Sequence, residues 1–214
     1  FTCLLGPDSN SRFRIGANSY IAEGTWREIE YRCVLQLSHR TLGWGWNITL
    51  RNNGPAAELD IIFTQDVGLT PATNGRCNEY YVSQYLERRI LEDAEHGTVV
   101  CCRQNLGGPT GNPHLVLASR NPAIAASVDG MQFFGNTYRA SGIPQGMLTK
   151  TLGGEYSGES SIVALQETPF VLPAGGKHDC LFVAHFTPDH PQATSVEDLT
   201  RIVPLMREFA GDHL

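Results

Sequence analysis

Between Asn78 and Ile90 the sequence NEYYVSQYLERRI brings together two amides, three tyrosines and two arginines. Aromatic faces stack on sugar rings, and planar amide, carboxylate and guanidinium groups bond hydroxyls in pairs, so this mixture suits carbohydrate binding. QFFGNTY supplies a second set of the same kind in Gln132, Phe134 and Tyr138. There the simpler reading comes first, with Phe133, Phe134 and Tyr138 as core or cross-strand partners.

Other chemistries find less support. Paired carboxylates cleave glycosidic bonds, and Asp66, Glu79, Glu92, Asp93 and Glu95 are available. Three of them fall together in LEDAEHG, which reads as a solvated turn. GEYSGES lacks the Gly-x-Ser-x-Gly spacing of a nucleophile elbow. GGPTGNP carries no Lys-Ser or Lys-Thr pair to open a phosphate-binding helix, and a dinucleotide fingerprint is missing too. No residue is assigned a catalytic role and no cofactor is expected.

The seven histidines, His39, His96, His114, His178, His185, His190 and His213, are read as standing outside short ligand spacing with a Cys or carboxylate. Cys101 and Cys102 should point to opposite faces of a strand. No metal site is therefore expected. His185 lies in a strand-like run and is read as a hydrogen-bonded imidazole in or near the core.

With 214 residues and 41% hydrophobic content the chain can build one large core or two small ones. Its net charge of −6 includes no basic stripe, which argues against nucleic acid and anionic membrane as partners. No apolar run approaches the roughly 20 residues that span a bilayer. The chain opens at Phe1 without an initiator Met or a cleavable leader, as a piece of something longer would. Six scattered cysteines are too sparse for a disulfide framework and predict free thiols in a reducing cytoplasm. A glycosylation acceptor match at Asn47 sits in a strand-like segment and carries no weight in a cytoplasmic protein.

Strict alternation of Ile29, Tyr31, Cys33, Leu35 and Leu37 predicts a half-buried strand, and Trp44, Trp46, Ile48 and Leu50 predict its hairpin partner. NNGP at 52–55 is a turn, and AELDIIFTQ is read as a third strand. GTVVCCRQN, HLVLAS, AIAASVDGMQFFG, SSIVALQETPFVL and DCLFVAHF follow as further apolar or alternating runs between Gly- and Pro-rich breaks. This pattern predicts a mainly β fold, a large antiparallel two-layer sandwich. At the end, Ser195 can cap a helix with the apolar stripe Leu199, Ile202, Val203, Leu205, Met206 and Phe209, which Pro204 would kink or split. For Asn78–Ile90, alternation and the DAEHG turn before TVVCCRQN favour the first arm of a long hairpin over a helix. Val82, Leu86 and Ile90 are then packing residues.

TQDVGL at 64–69, NEYYVSQY at 78–85, CRQN at 102–105, DGMQFFG at 129–135 and ALQ at 164–166 occur in an order that resembles one known family. It is the N-terminal β-sandwich of the inverting phosphorylases of glycoside hydrolase family 94, the cellobiose phosphorylase group. The likeness is greatest to the branch acting on β-1,2-linked glucans, the 1,2-β-oligoglucan phosphorylases and the related region of cyclic β-1,2-glucan synthases. It extends from about Arg27 to the terminal helix. It implies a super-sandwich over residues 1–194, a helix or linker over 195–214, and an (α/α)6 barrel beyond Leu214 that holds the general acid and the phosphate pocket. The chain would then be catalytically silent alone. Its expected partners are a β-linked gluco-oligosaccharide, inorganic phosphate only through the missing domain, the barrel of the same polypeptide and, as a homodimer, a second copy.

In relatives a short Asn-aromatic-Gln-Arg-like stretch of the sandwich reaches the sugar site of the barrel. Here NEYY is the nearest match, with Asn78 at the Asn and Glu79, Tyr80 and Tyr81 departing from the next three. These four residues are the expected substrate contacts. Two alternatives stay open: a free-standing carbohydrate-binding or structural sandwich, and a small mutarotase-like enzyme, whose acid and base the sequence does not reveal.

Overall fold

The computed structural model describes residues 1–6, 9–109, 111–156 and 160–210, with the Glu79 side chain outside that description. Thirteen strands are present among these residues: β1 (Arg12–Ile15), β2 (Ser19–Trp26), β3 (Ile29–Leu37), β4 (Gly43–Asn52), β5 (Ala57–Leu59), β6 (Ile62–Asp66), β7 (Leu86–Asp93), β8 (Gly97–Gln104), β9 (His114–Ser119), β10 (Ala123–Asp129), β11 (Ser161–Glu167), β12 (Phe170–Leu172) and β13 (Lys177–Thr187). The helices are α1 (Ala72–Cys77), α2 (Glu79–Gln84), α3 (Gly130–Phe134), α4 (Tyr138–Ser141) and α5 (Val203–Ala210), with 3₁₀ segments at Gln145–Leu148 and Val196–Ile202.

Eight strands lie side by side in the order β1-β2-β3-β4-β13-β9-β8-β7, each antiparallel to its neighbours. The antiparallel trio β10-β11-β6 makes the opposing layer. A parallel bridge, Ala123 to Gly97, joins the two. β5 and β12 pair separately.

The apolar alternation explains why the layers close. Tyr31 and Cys33 of β3, Ile48 and Leu50 of β4, Cys102 of β8, Leu115 and Leu117 of β9 and Phe182 of β13 turn one face inward. They meet Val128 of β10 and Val163 and Leu165 of β11. Phe63 of β6 stacks on Phe182 across the interface with centroids 5.2 Å apart. Cys101 turns the other way, as the adjacent cysteines predict, and joins Val99, Val116, Ala118, Leu181 and Val183 on the outer face.

The terminal segment covers that outer face. Ser195 and Asp198 form a capping box: Ser195 Oγ accepts from Glu197 N at 3.3 Å, and Ser195 N donates to Asp198 Oδ2 at 3.0 Å. The helix splits around Pro204, with 3₁₀ geometry before Val203 and α geometry after it. Leu199, Ile202, Leu205, Met206 and Phe209 are buried against the sheet. At roughly 2 kcal/mol per buried apolar side chain, this docking outweighs the weak intrinsic stability of so short a helix. Gly43 and Gly45 make room for it, because a Cβ at either would stand 2.7 Å from Leu205 or Phe209. On the opposing layer, Phe133 of α3 and Leu152 cover Ala125, Ile162 and Ala164.

Three expected strands divide. AELDIIFTQ becomes β5 and β6, which pair in different sheets, with Asp60 between them accepting from Gln166 Nε2 at 2.7 Å. AIAASVDGMQFFG stops being a strand at Asp129, whose Oδ1 accepts from Gln132 N at 2.8 Å and starts α3. SSIVALQETPFVL breaks at Thr168 and Pro169 into β11 and β12. At the other end of the chain, β1 and β2 extend the large layer where no strand was anticipated.

Candidate functional site

Asn78 ends one helix and begins another. Its amide N–H donates to Asn74 O at 3.0 Å, closing α1, and its side-chain Oδ1 accepts from Tyr81 N at 3.2 Å, opening α2. The expected long strand is therefore wrong in its first half. Residues 79–84 are helical, and the hairpin arm starts at Leu86. Val82 and Leu86 satisfy both patterns, since they share a strand face and also stand four apart on a helix; the Asn cap decides between them. Both are buried, as their packing role requires.

Neither α1 nor α2 is long enough to hold its shape alone. Gln104, fully buried at the end of β8, holds the segment: Nε2 donates to Gly68 O at 3.2 Å and Val82 O at 3.3 Å, while Oε1 accepts from Leu106 N at 2.9 Å. Asn105 N adds a bond to Tyr85 O at 2.8 Å. The segment is thus fastened largely through its own carbonyl groups. Side-chain chemistry is left to face solvent.

Tyr80 is 59% exposed, Tyr81 46% and Tyr85 38%. The Tyr81 and Tyr85 rings stand 5.0 Å apart, tilted by 59°, and the hydroxyl bond between them raises the Tyr81 pKa. The structure thus collects Asn78, Tyr80 and Tyr81 on one capped helical turn, with Tyr85 as a neighbour that the four-residue expectation omitted. The Glu79 side chain lies outside the described atoms. Exposed aromatic faces beside an anchored backbone can stack on sugar rings.

Next to this segment on β7, Arg88 is buried and donates from Nη1 to Ser161 Oγ at 3.0 Å. Burial lowers its pKa, and the nearby Asp129 carboxylate opposes that change. In the second aromatic set Phe133 is core, as read, whereas Tyr138 is exposed and leans on Phe134 at 4.7 Å.

Two polar clusters escaped the sequence reading. The first joins His114, His190 and Asp198, all buried. His190 Nε2 lies 2.7 Å from Asp198 Oδ1 and Nδ1 lies 2.9 Å from Gln192 O. Arg201 Nε donates to the same Asp198 oxygen at 3.0 Å, and Arg103 Nε donates to His190 O at 2.8 Å. The His114 ring stacks on His190 at 4.3 Å and 19°, and neither of its nitrogens has a hydrogen-bond partner among the described residues. Near-parallel rings direct their lone pairs into parallel planes, so this trio is a polar clasp rather than a chelate.

The second cluster is Glu167, His178 and Cys180. It corrects the expectation that no histidine has a nearby cysteine: His178 and Cys180 stand two apart on β13 and share a face. That spacing was available as a signal. His185 differs from its reading as well, since its buried Nδ1 has no partner among the described residues, and burial lowers its pKa.

Two surface hollows of about 520 and 420 Å³ lie elsewhere, one lined by His39, Arg40, Pro204, Arg207 and Glu208, the other around His190–Arg201. Neither includes Asn78–Tyr81 in its lining.

Comparison with known proteins supplies the context. A family described as the SOGP N-terminal domain matches residues 1–184. A 1,2-beta-oligoglucan phosphorylase of Listeria innocua serovar 6a is 26% identical over 165 residues, which is 77% of this chain and 14% of that protein. A solved structure assigned as a kojibiose phosphorylase from human microbiome superposes with a TM-score of 0.51 at 7% identity, over 91% of this chain and 21% of its own, and so shares the fold. The chain therefore spans only a small part of the length of these relatives.

Proposed function

Because this chain belongs to the SOGP N-terminal domain family, we propose that it serves as the non-catalytic N-terminal domain of a phosphorylase acting on β-linked glucans, in the class of β-1,2-oligoglucans. The observation that carries the reading is the anchored turn Asn78–Tyr81. It presents exposed aromatic faces on a chain that is 26% identical to part of a 1,2-beta-oligoglucan phosphorylase.

In this reading Tyr80 and Tyr81, with Tyr85 behind them, form one wall of an oligosaccharide site completed by a helical catalytic domain of the same polypeptide. Asn78 holds the turn and offers its remaining amide hydrogens to sugar hydroxyls. The general acid and the groups that bind inorganic phosphate belong to the catalytic domain. The sandwich supplies shape, stacking area and a rigid base, and it stabilises the assembly with the barrel or with a second copy. Six unpaired thiols, four of them buried, suit a reducing compartment such as the cytoplasm.

The test is kinetic and uses the full-length parent enzyme. Replacing Tyr81 by Ala should raise KM for the oligosaccharide while KM for phosphate and the melting temperature hold. Unchanged oligosaccharide kinetics would remove the turn from the substrate site.

A further inference from the structure

Glu167, His178 and Cys180 converge from the two layers of the sandwich. One ligand-capable atom of each lies within 4.8 Å of the others. β13 supplies His178 and Cys180 on one face, and Glu167 arrives from the end of β11 in the opposing layer. Imidazole, thiolate and carboxylate form a donor set that borderline-soft divalent cations take in tetrahedral sites.

Each ligand is prepared in a different way. The His178 ring lies flat on Phe170, centroids 3.6 Å apart and 13° from parallel, which fixes its plane. Its Nε2 is buried and has no hydrogen-bond partner among the described residues. An unpaired buried nitrogen carries a desolvation cost, and a cation would satisfy it. Glu167 is buried, with Ser119 Oγ donating to Oε1 and Asn121 Nδ2 donating to Oε2 at 3.2 Å. Such donors are the outer-shell partners that orient a ligating carboxylate.

Cys180 is buried beside the Glu167 carboxylate. Burial and the neighbouring carboxylate raise its pKa well above the ordinary thiol range. A hydrolytic Cys-His-Glu arrangement is excluded by the same facts, since a nucleophilic cysteine needs exposure and a depressed pKa.

We propose that Glu167, His178 and Cys180 form a binding site for a zinc-class divalent cation, held between the ends of β11 and β13. On binding, the Cys180 S–H bond breaks, the proton passes to solvent, and sulfur donates its electron pair to the metal. His178 Nε2 and one Glu167 oxygen complete three protein ligands, with a water in the fourth position. The cation ties the two layers together at a point where β11 and β13 share no backbone ladder.

Cobalt(II) reports the site directly, because a thiolate ligand gives an intense near-ultraviolet charge-transfer band. The exposed Cys3 and Cys77 are first replaced by Ser to remove competing thiols. The 214-residue chain should then develop the band with one equivalent of Co²⁺, and Zn²⁺ should abolish it and raise the melting temperature. Cys180→Ser should lose the band. His178→Gln should weaken Zn²⁺ binding by about tenfold or more, at least the loss seen for outer-shell partners. His178 is only half-buried, so this variant decides the matter if the cysteine variant fails to fold. No band at saturating Co²⁺, or a band and Zn²⁺ affinity untouched in either variant, overturns the proposal.

Discussion

His190 and Asp198 form a buried pair, Nε2 to Oδ1 at 2.7 Å, within the segment after β13, and His114 of β9 and Arg103 of β8 clasp that segment onto the sandwich through His190. The other imidazole nitrogen, Nδ1, lies 2.9 Å from Gln192 O. Burial disfavours the Asp198 charge, but Ser195 N–H, Arg201 and His190 outweigh it and hold its pKa below the usual carboxylate value. His114 beneath them is pushed down to about 4, first by burial and then by His190.

The clasp makes stability depend on pH in a defined window. Between its ordinary value of 6.5 and its folded value of about 4, His114 takes up a proton when unfolded and refuses it when folded. Stability should therefore fall as pH drops through that range, by roughly 3 kcal/mol in total. The Asp198 contribution is present above its unfolded value and disappears only below that, as pH falls through its lower folded value. Urea unfolding from pH 7 to pH 4 should show a smaller loss in His114→Gln than in the parent chain; equal slopes would assign the dependence to other groups.

Gln104→Ala should loosen the Asn78–Tyr85 segment before it unfolds the sandwich. The change leaves Gly68 O, Val82 O and Leu106 N without their partner, at a cost of about 1–3 kcal/mol. Amide hydrogen exchange across 79–85 should accelerate far more than across β9 or β13. Uniform acceleration would mean that Gln104 supports the whole fold rather than the turn.

Asn78 separates capping from contact. In the full-length enzyme, Asn78→Ser should retain the cap within a few tenths of a kcal/mol and still raise KM for oligosaccharide. Asn78→Ala should do both harms, with about 1 kcal/mol of lost stability. If the serine variant keeps parental kinetics, capping is the whole role of Asn78.

Gly97 has φ of +68°, and a Cβ there would stand 2.2 Å from Ala123 O, across the bridge that joins the two layers. Gly97→Ala should cost more than about 2 kcal/mol by combining backbone strain with a backbone clash. A urea midpoint shift distinguishes this from the near-zero effect expected at an ordinary surface position.

The β3–β4 hairpin was legible because its inward residues alternate over two adjacent runs, and the split terminal helix was legible because Ser195 and Pro204 are local signals. β3 departs toward its end, where Val34 on the other face is buried, Leu35 is half-buried and Leu37 is exposed. The turn at Asn78 was misread because aromatic residues alternate as well as they spiral, and one side-chain cap tips the balance. β5 and β6 were fused because their separate pairing depends on β11 and β12, about a hundred residues later in the chain. Gln104 carried no local sign of its role, since its partners are carbonyls that any sequence provides.

That last point bears on how such a surface can change over descent. The hydrogen bonds that pin the turn to Gln104 and Asn105 use main-chain carbonyls, so they survive replacement of the side chains at positions 80, 81 and 85. Natural variation can rewrite those three positions while the sandwich retains its shape, giving a lineage freedom to diversify what it recognises without renegotiating how it folds.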